Sequence, residues 1–244
     1  MAKVQEVIDL IEAYAPLETQ AEWDNSGWQI NLGKENFSKI MTALTVTQSV
    51  INQAKKHGCD LILAHHPLIF EPLKKITVGE ITDAIQNGIQ IYSAHTNVDL
   101  AKGGTTDTLC EKCGFGLCDK TEGFINYKKL DKKYNLENLK ELVKKRLGLD
   151  CLKIINLEEK KTIKSVGFCA GSGGGEIPEA NRLGIDLFIT GEVKFHEAFE
   201  AKSTVVFEVG HFDSEKYIGE IFKRVLGDKY EIIEADEKRP YFYD

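Results

Sequence analysis

The chain has 244 residues, 42% of them hydrophobic, and carries a formal net charge of -7 with a pI near 5.5. That length supports one large domain or two small ones with a proper core, and the acidic balance argues against a surface built to coat DNA. No apolar run reaches the roughly 20 residues that a bilayer demands, and the opening segment lacks the charged-then-apolar layout of a signal peptide, so the expected location is the cytoplasm with no membrane partner.

The pattern of the chain alternates between helix and strand. Val4, Val7, Ile8 and Ile11 recur at helical spacing over 4–14. Glu22 to Gly27 is a loop of turn formers. A strand is predicted over 40–46 and a helix over 48–57, stopped by Gly58. Residues 60–64 are nearly all apolar, which suits a strand covered on both faces. A helix over 79–87, a strand over 89–94 and a helix from 104 follow.

The region 114–160 changes character. It is rich in lysine, and its clearest element is a helix over 136–147. Alternation then returns: strand 163–170, a glycine loop, a helix, strand 186–190, helix 194–202, strand 204–209, helix 214–226 and strand 230–234. This order predicts an α/β fold with a largely parallel sheet. Two α/β lobes are expected, 1–122 with about 228–244, and 123–227.

The six histidines carry the chemistry. Strand 61–64 ends in His65-His66-Pro67. Strand 89–94 ends in His95, with Asn97 and Asp99 beyond. Strand 204–209 ends in Gly210-His211, with Glu215 four residues later. In open α/β sheets, ligands bind beyond the carboxyl ends of the strands, and three strands deliver imidazole or carboxylate there. These groups are the usual ligands for zinc, iron, manganese or nickel. His211 and Glu215 share one face if a helix begins near 211. A carboxylate also bridges paired ions about 3.5–4 Å apart in two-metal hydrolases. Taken singly, a histidine at a strand end only hydrogen-bonds a carbonyl; the constellation favours metal.

Other features carry less. His57 sits at a helix C-terminus, where the dipole favours it. His196 follows another strand and reads equally as a substrate contact or a helix-surface residue. Gly171-Ser172-Gly173-Gly174-Gly175 has two readings, an anion cradle of backbone N–H groups at Gly173 and Gly174 or a tight turn. Ser172 has Ala170 where a nucleophile elbow wants glycine. Cys110, Cys113 and Cys118 lack the second pair that a structural zinc site needs, so the cysteines are expected to be mostly free thiols.

At these residues the sequence resembles the GTP cyclohydrolase I type 2 homologues, the NGG-interacting-factor-like proteins. The likeness runs through Trp23-Asp24-Asn25-Ser26-Gly27, Ala64-His65-His66-Pro67-Leu68, Ala94-His95-Thr96-Asn97-Val98-Asp99, Thr190-Gly191-Glu192, and Gly210-His211 with Ser214-Glu215. It implies two divalent ions per subunit on His65, His66, Asp99, His211 and Glu215. It implies a two-lobed α/β/α subunit with mostly parallel or mixed sheets, the metals in the cleft between lobes, and a toroidal homohexamer without an inserted middle domain. Two positions depart from the family pattern: Phe195-His196 replaces paired histidines, and Trp28 stands where leucine is usual. The implied activity is metal-dependent hydrolysis of a nucleotide or related small molecule, cyclohydrolase-like, with His95 and Glu215 moving protons. A metal-dependent phosphoesterase is the near alternative. A non-catalytic metal-holding ring that binds nucleic acid or protein is the other, with Lys140, Lys144, Lys145 and Arg146 as its basic face.

Overall fold

A computed structural model describes residues 2–156 and 162–242. The chain divides into two compact units, Met1–Ala101 with Tyr217–Lys238, and Lys102–Lys216 with Arg239–Asp244. The sequence reading placed these boundaries later, near 122 and 228, and extended the first lobe to the end of the chain. The helix Thr105–Lys112 belongs to the second unit because Thr105 to Cys110 are all buried there. Asp107 accepts from buried Asn126 at 2.6 Å, and Thr106 accepts from the backbone of Ala170. Composition changes at 114, but packing has already changed before that helix. At the other end, Arg239 returns the chain to the second unit.

The first unit carries a five-stranded sheet in the order Ile232–Glu234, Ile40–Ala43, Leu61–Ala64, Gln90–Ser93, Gly27–Ile30. The first four strands run parallel, and Gly27–Ile30 is an antiparallel edge. Every residue of Leu61–Ala64 is buried, as an apolar run in a covered parallel sheet should be. The helix Gln48–His57 begins on Thr47, whose hydroxyl accepts from Val50 N–H, and ends at left-handed Gly58. Its face of Val50, Ile51 and Ala54 packs with Met41, Ile62 and Ile91 in one core.

The second unit holds a six-stranded mixed sheet in the order Asp119–Lys120, Asn126–Asn135, Thr162–Cys169, Leu187–Thr190, Val205–Glu208, Lys153–Ile155. Parallel pairing joins Thr162–Cys169 to Leu187–Thr190 and Leu187–Thr190 to Val205–Glu208, and the other neighbours pair antiparallel. The strand Asn126–Asn135 escaped sequence reading because most of its residues are polar and reach solvent on both sides. The helix Leu136–Leu147 forms as predicted, burying Leu136, Leu139, Val143 and Leu147.

Two predicted helices differ. Over 194–202 only the short 3-10 turn Glu197–Glu200 forms. Phe195 and Phe199 face solvent there, so no apolar stripe is buried to sustain an α-helix. The predicted helix 214–226 is two helices, His211–Glu215 and Ile218–Leu226. Among the described residues, no helix is long and apolar enough to cross a membrane.

Candidate metal centre

In the first unit the site grows from the ends of two parallel strands. The ladder of Leu61–Ala64 runs on past its last residue: His65 N–H donates to Ala43 at 3.0 Å and His66 N–H to Leu44 at 2.9 Å. Both histidine backbones are therefore fixed by the sheet. On the neighbouring strand Ala94 N–H donates to Ala64, which brings His95 level with them. The three rings pack with centroids 5.1 Å (His65 to His66), 5.1 Å (His65 to His95) and 5.6 Å (His66 to His95) apart. One nitrogen from each lies within 4.8 Å of the others. Ligands around one ion with bonds near 2.0–2.1 Å sit about 3–4 Å apart, so a small shift closes this set on a metal.

The outer partners give the rings their orientation. His65 is wholly buried, and its Nδ1 lies 2.9 Å from the Ala94 carbonyl. A carbonyl only accepts, so Nδ1 carries the proton and Nε2 keeps the lone pair a metal needs. That Nε2 faces Asp99 Oδ1 at 3.4 Å, from the short helix Thr96–Leu100. His66 Nδ1 contacts the Thr45 hydroxyl at 2.7 Å. Glu237 accepts from the backbone N–H groups of Leu44 and Thr45 and so holds the loop that carries this hydroxyl.

His95 Nδ1 is held by Asp24 at 2.7 Å. The Asp24 side chain is fully covered, and it also accepts from Thr96 N–H and Oγ1 and from Ser26 Oγ. Burial alone would raise the Asp24 pKa. The hydrogen bonds of His95 and Thr96 outweigh it and hold the carboxyl well below the usual carboxylate range. Asp24 is thus an anion built to orient His95. The sequence reading placed Asp24 among turn formers and in a family-like segment but gave it no role, because its partner lies 71 positions away.

In the second unit the three central parallel strands end together. Glu192 N–H donates to Gly171, and Gly210 N–H to Gly191, at 3.0 and 3.1 Å. His211 opens its helix and Glu215 lies one turn on, with Nε2 to Oε2 at 3.1 Å. His211 Nδ1 meets Glu192 at 3.0 Å. Burial would lower the His211 pKa, but its hydrogen bonds and charge attraction to Glu215 and Glu192 prevail and lift it to about 9. Glu215 is 3% exposed. Asp213, on the same helix, is clamped by Arg239 at 2.6 Å and Lys216 at 2.9 Å, which ties the C-terminal segment down. A cavity of about 240 Å³ is lined by Gly191, Glu192, Glu208, Gly210, His211 and Tyr241.

The glycine loop has a structural use beside these residues. Gly171 is left-handed, and a Cβ on it would meet Glu215 Oε1 at 2.2 Å. Gly173 N–H donates to Gly171 and to Thr190 Oγ1, and Gly174 N–H to Glu192. The two amides that the sequence offered to an anion already have acceptors, and the Glu197 carboxylate lies where a Cβ on Gly174 would point. His196 is exposed at the start of the turn Glu197–Glu200, and His57 is exposed at its helix end. Trp28 packs edge to face on Tyr92 at 5.4 Å. The six cysteines are free thiols, and among the described residues none joins a group able to hold a metal.

The family described as Duf34/NIF3 (NGG1p interacting factor 3) matches residues 2–240. A protein of Clostridium perfringens called GTP cyclohydrolase 1 type 2 homolog is 33% identical, with 98% of each chain covered. One of the same name from Campylobacter jejuni is 31% identical over 99% of each. The crystal structure of a Bacillus cereus protein related to NIF3 superposes with a TM-score of 0.87 at 21% identity, covering 100% of this chain and 99% of that one. With the family model matching nearly the whole sequence, the chain belongs to the Duf34/NIF3 family.

Proposed function

We propose that this protein is a metal-dependent hydrolase of a nucleotide or related small molecule, cyclohydrolase-like. In this reading two divalent ions are held by His65, His66 and Asp99 of the first unit and by His211 and Glu215 of the second. The observation that carries it is a shared design: His65, His66, His95 and His211 each have Nδ1 fixed by an outer partner, Ala94, Thr45, Asp24 and Glu192 respectively. Metal-ligating histidines are held this way, with the second nitrogen presented on the opposite edge. A histidine serving only as a satisfied polar group has no need of the two like rings that His65, His66 and His95 each have beside them.

A bound divalent ion would supply a Lewis acid and lower the pKa of a water. This chain's own residues do the rest. Asp24 fixes the tautomer and direction of His95, which is then placed to take or give a proton at Nε2. Glu215, buried against the Gly171 backbone, serves both as ligand and as proton carrier. The names of the Clostridium and Campylobacter relatives support an electrophilic ring carbon as the target. Self-association into a ring is part of the same proposal.

The test is metal analysis of the purified protein, followed by GTP with the matched metal and mass-resolved products. Two ions per chain and a formate-releasing or ring-opened product, both lost in His66→Ala and Glu215→Ala, are expected. Bound metal with GTP untouched moves the search to phosphoesters. Protein that binds no metal overturns the reading.

A further inference from the structure

Two large rings stand exposed beside the imidazole group of the first unit. Trp23 is 60% exposed and Phe70 48%. Their centroids are 6.0 Å apart with the planes tilted by 49°. Each also approaches His95, Trp23 at 6.1 Å and Phe70 at 6.5 Å, both near edge-on. Nothing in the metal centre as described uses either ring.

Their loops are fixed. Asn25 Nδ2 donates to the Ile69 carbonyl at 2.6 Å, and Ile69 N–H donates to Gln29 Oε1 at 2.9 Å. Buried Gln29 in turn donates to the carbonyls of Asn25 and Gly27. The loop of Trp23 is further anchored through Asp24 to Thr96 and His95, and through Ser26 N–H to Gln20. Exposed aromatic faces on braced loops are costly to leave in water and need no reorganisation to bind.

We propose that Trp23 and Phe70 form a stacking platform for a planar nitrogen heterocycle such as a nucleobase, making Trp23 a substrate-binding residue. This rests on the hydrolase reading above and names its substrate class. The face of an indole accepts any flat base. A ring laid on this pair is brought to the edge of the imidazole group, where His95 exchanges a proton with it. The platform selects for flatness and leaves selection among bases to other groups.

The experiment uses the full chain with Trp28→Phe, so that Trp23 is the sole tryptophan, and guanosine as probe. Guanosine should quench Trp23 emission saturably, while ribose 5-phosphate should not. By calorimetry Trp23→Ala should weaken guanosine binding about tenfold or more, the usual loss for one stacked base. Trp23→Phe should retain most of the affinity, and Phe70→Ala gives a second, milder variant should Trp23→Ala fail to fold. In any turnover Trp23→Ala should raise KM and spare kcat. Unchanged guanosine affinity in folded Trp23→Ala, or equal binding of ribose 5-phosphate, overturns the proposal. So does a changed oligomeric state with affinity intact, which would assign the rings to contact between copies. Metal content is read on the same samples. Quenching by protein that holds no metal upholds the platform while removing the hydrolase, and metal-dependent turnover indifferent to Trp23 does the reverse.

Discussion

The imidazole cluster of the first unit and the His211 cluster of the second are built on opposite chemistry. The first unit offers three imidazoles and Asp99, with His65 completely buried and its tautomer imposed by a backbone carbonyl. The second offers one imidazole between two carboxylates, Glu215 and Glu192. A nitrogen-rich set in which the His65 lone pair is already turned inward needs only a small shift to close on a metal. An imidazole between carboxylates holds a proton instead, which is why His211 is lifted to about 9. The first cluster is held by hydrogen bonds and the second by charge, so an ion entering the second would displace a proton.

The largest effect should come from deleting a ligand on either side. His65→Ala and Glu215→Ala should each lower metal affinity by more than the roughly 10–100-fold that an outer partner is worth. Metal retained at wild-type level in either variant would remove that cluster from the centre. Gly171→Ala forces a Cβ into Glu215 at a left-handed position, and a loss of about 1–3 kcal/mol is expected by thermal or urea unfolding. An unchanged melting temperature would mean that Glu215 has room to move.

The outer partners sharpen the contrast. Asp24→Asn should cost about 10–100-fold in turnover, because the buried carboxylate fixes His95. Glu192→Gln should cost less, since Glu192 is 48% exposed and water replaces it. Equal losses from the two would erase the distinction between the clusters.

The smallest effect is the pH response of the metal-free protein. The His211 pKa is raised from 6.5 to about 9, so its contribution to stability is complete below 6.5 and fades as pH rises through about 9. Metal affinity should climb over the same window as the competing proton leaves. Metal-free stability that is flat across that range, or that rises, would contradict a proton held between His211 and Glu215.

The sequence by itself determined most of the elements and the imidazole and carboxylate groups gathered beyond the strand ends. Apolar runs at Leu61–Ala64 and Leu187–Thr190, the Gly58 stop and the stripe Leu139, Val143 and Leu147 are local signals, because burial and capping are read within a few residues. The positions of His65, His66 and His211 just past strands were legible in the same way, with Asp99 and Glu215 in the helices that follow. Tertiary structure alone decided the rest. Asp24, Thr45 and Glu192 became outer partners through contacts spanning 71, 21 and 19 positions. The polar strand Asn126–Asn135 was recruited by backbone pairing with Thr162–Cys169, which leaves no mark on side-chain pattern. The glycine loop proved to be a seat for Glu215 because close approach is a property of two distant backbones. Local periodicity fixes what a segment can become; which residues meet depends on a three-dimensional register that a linear sequence does not display.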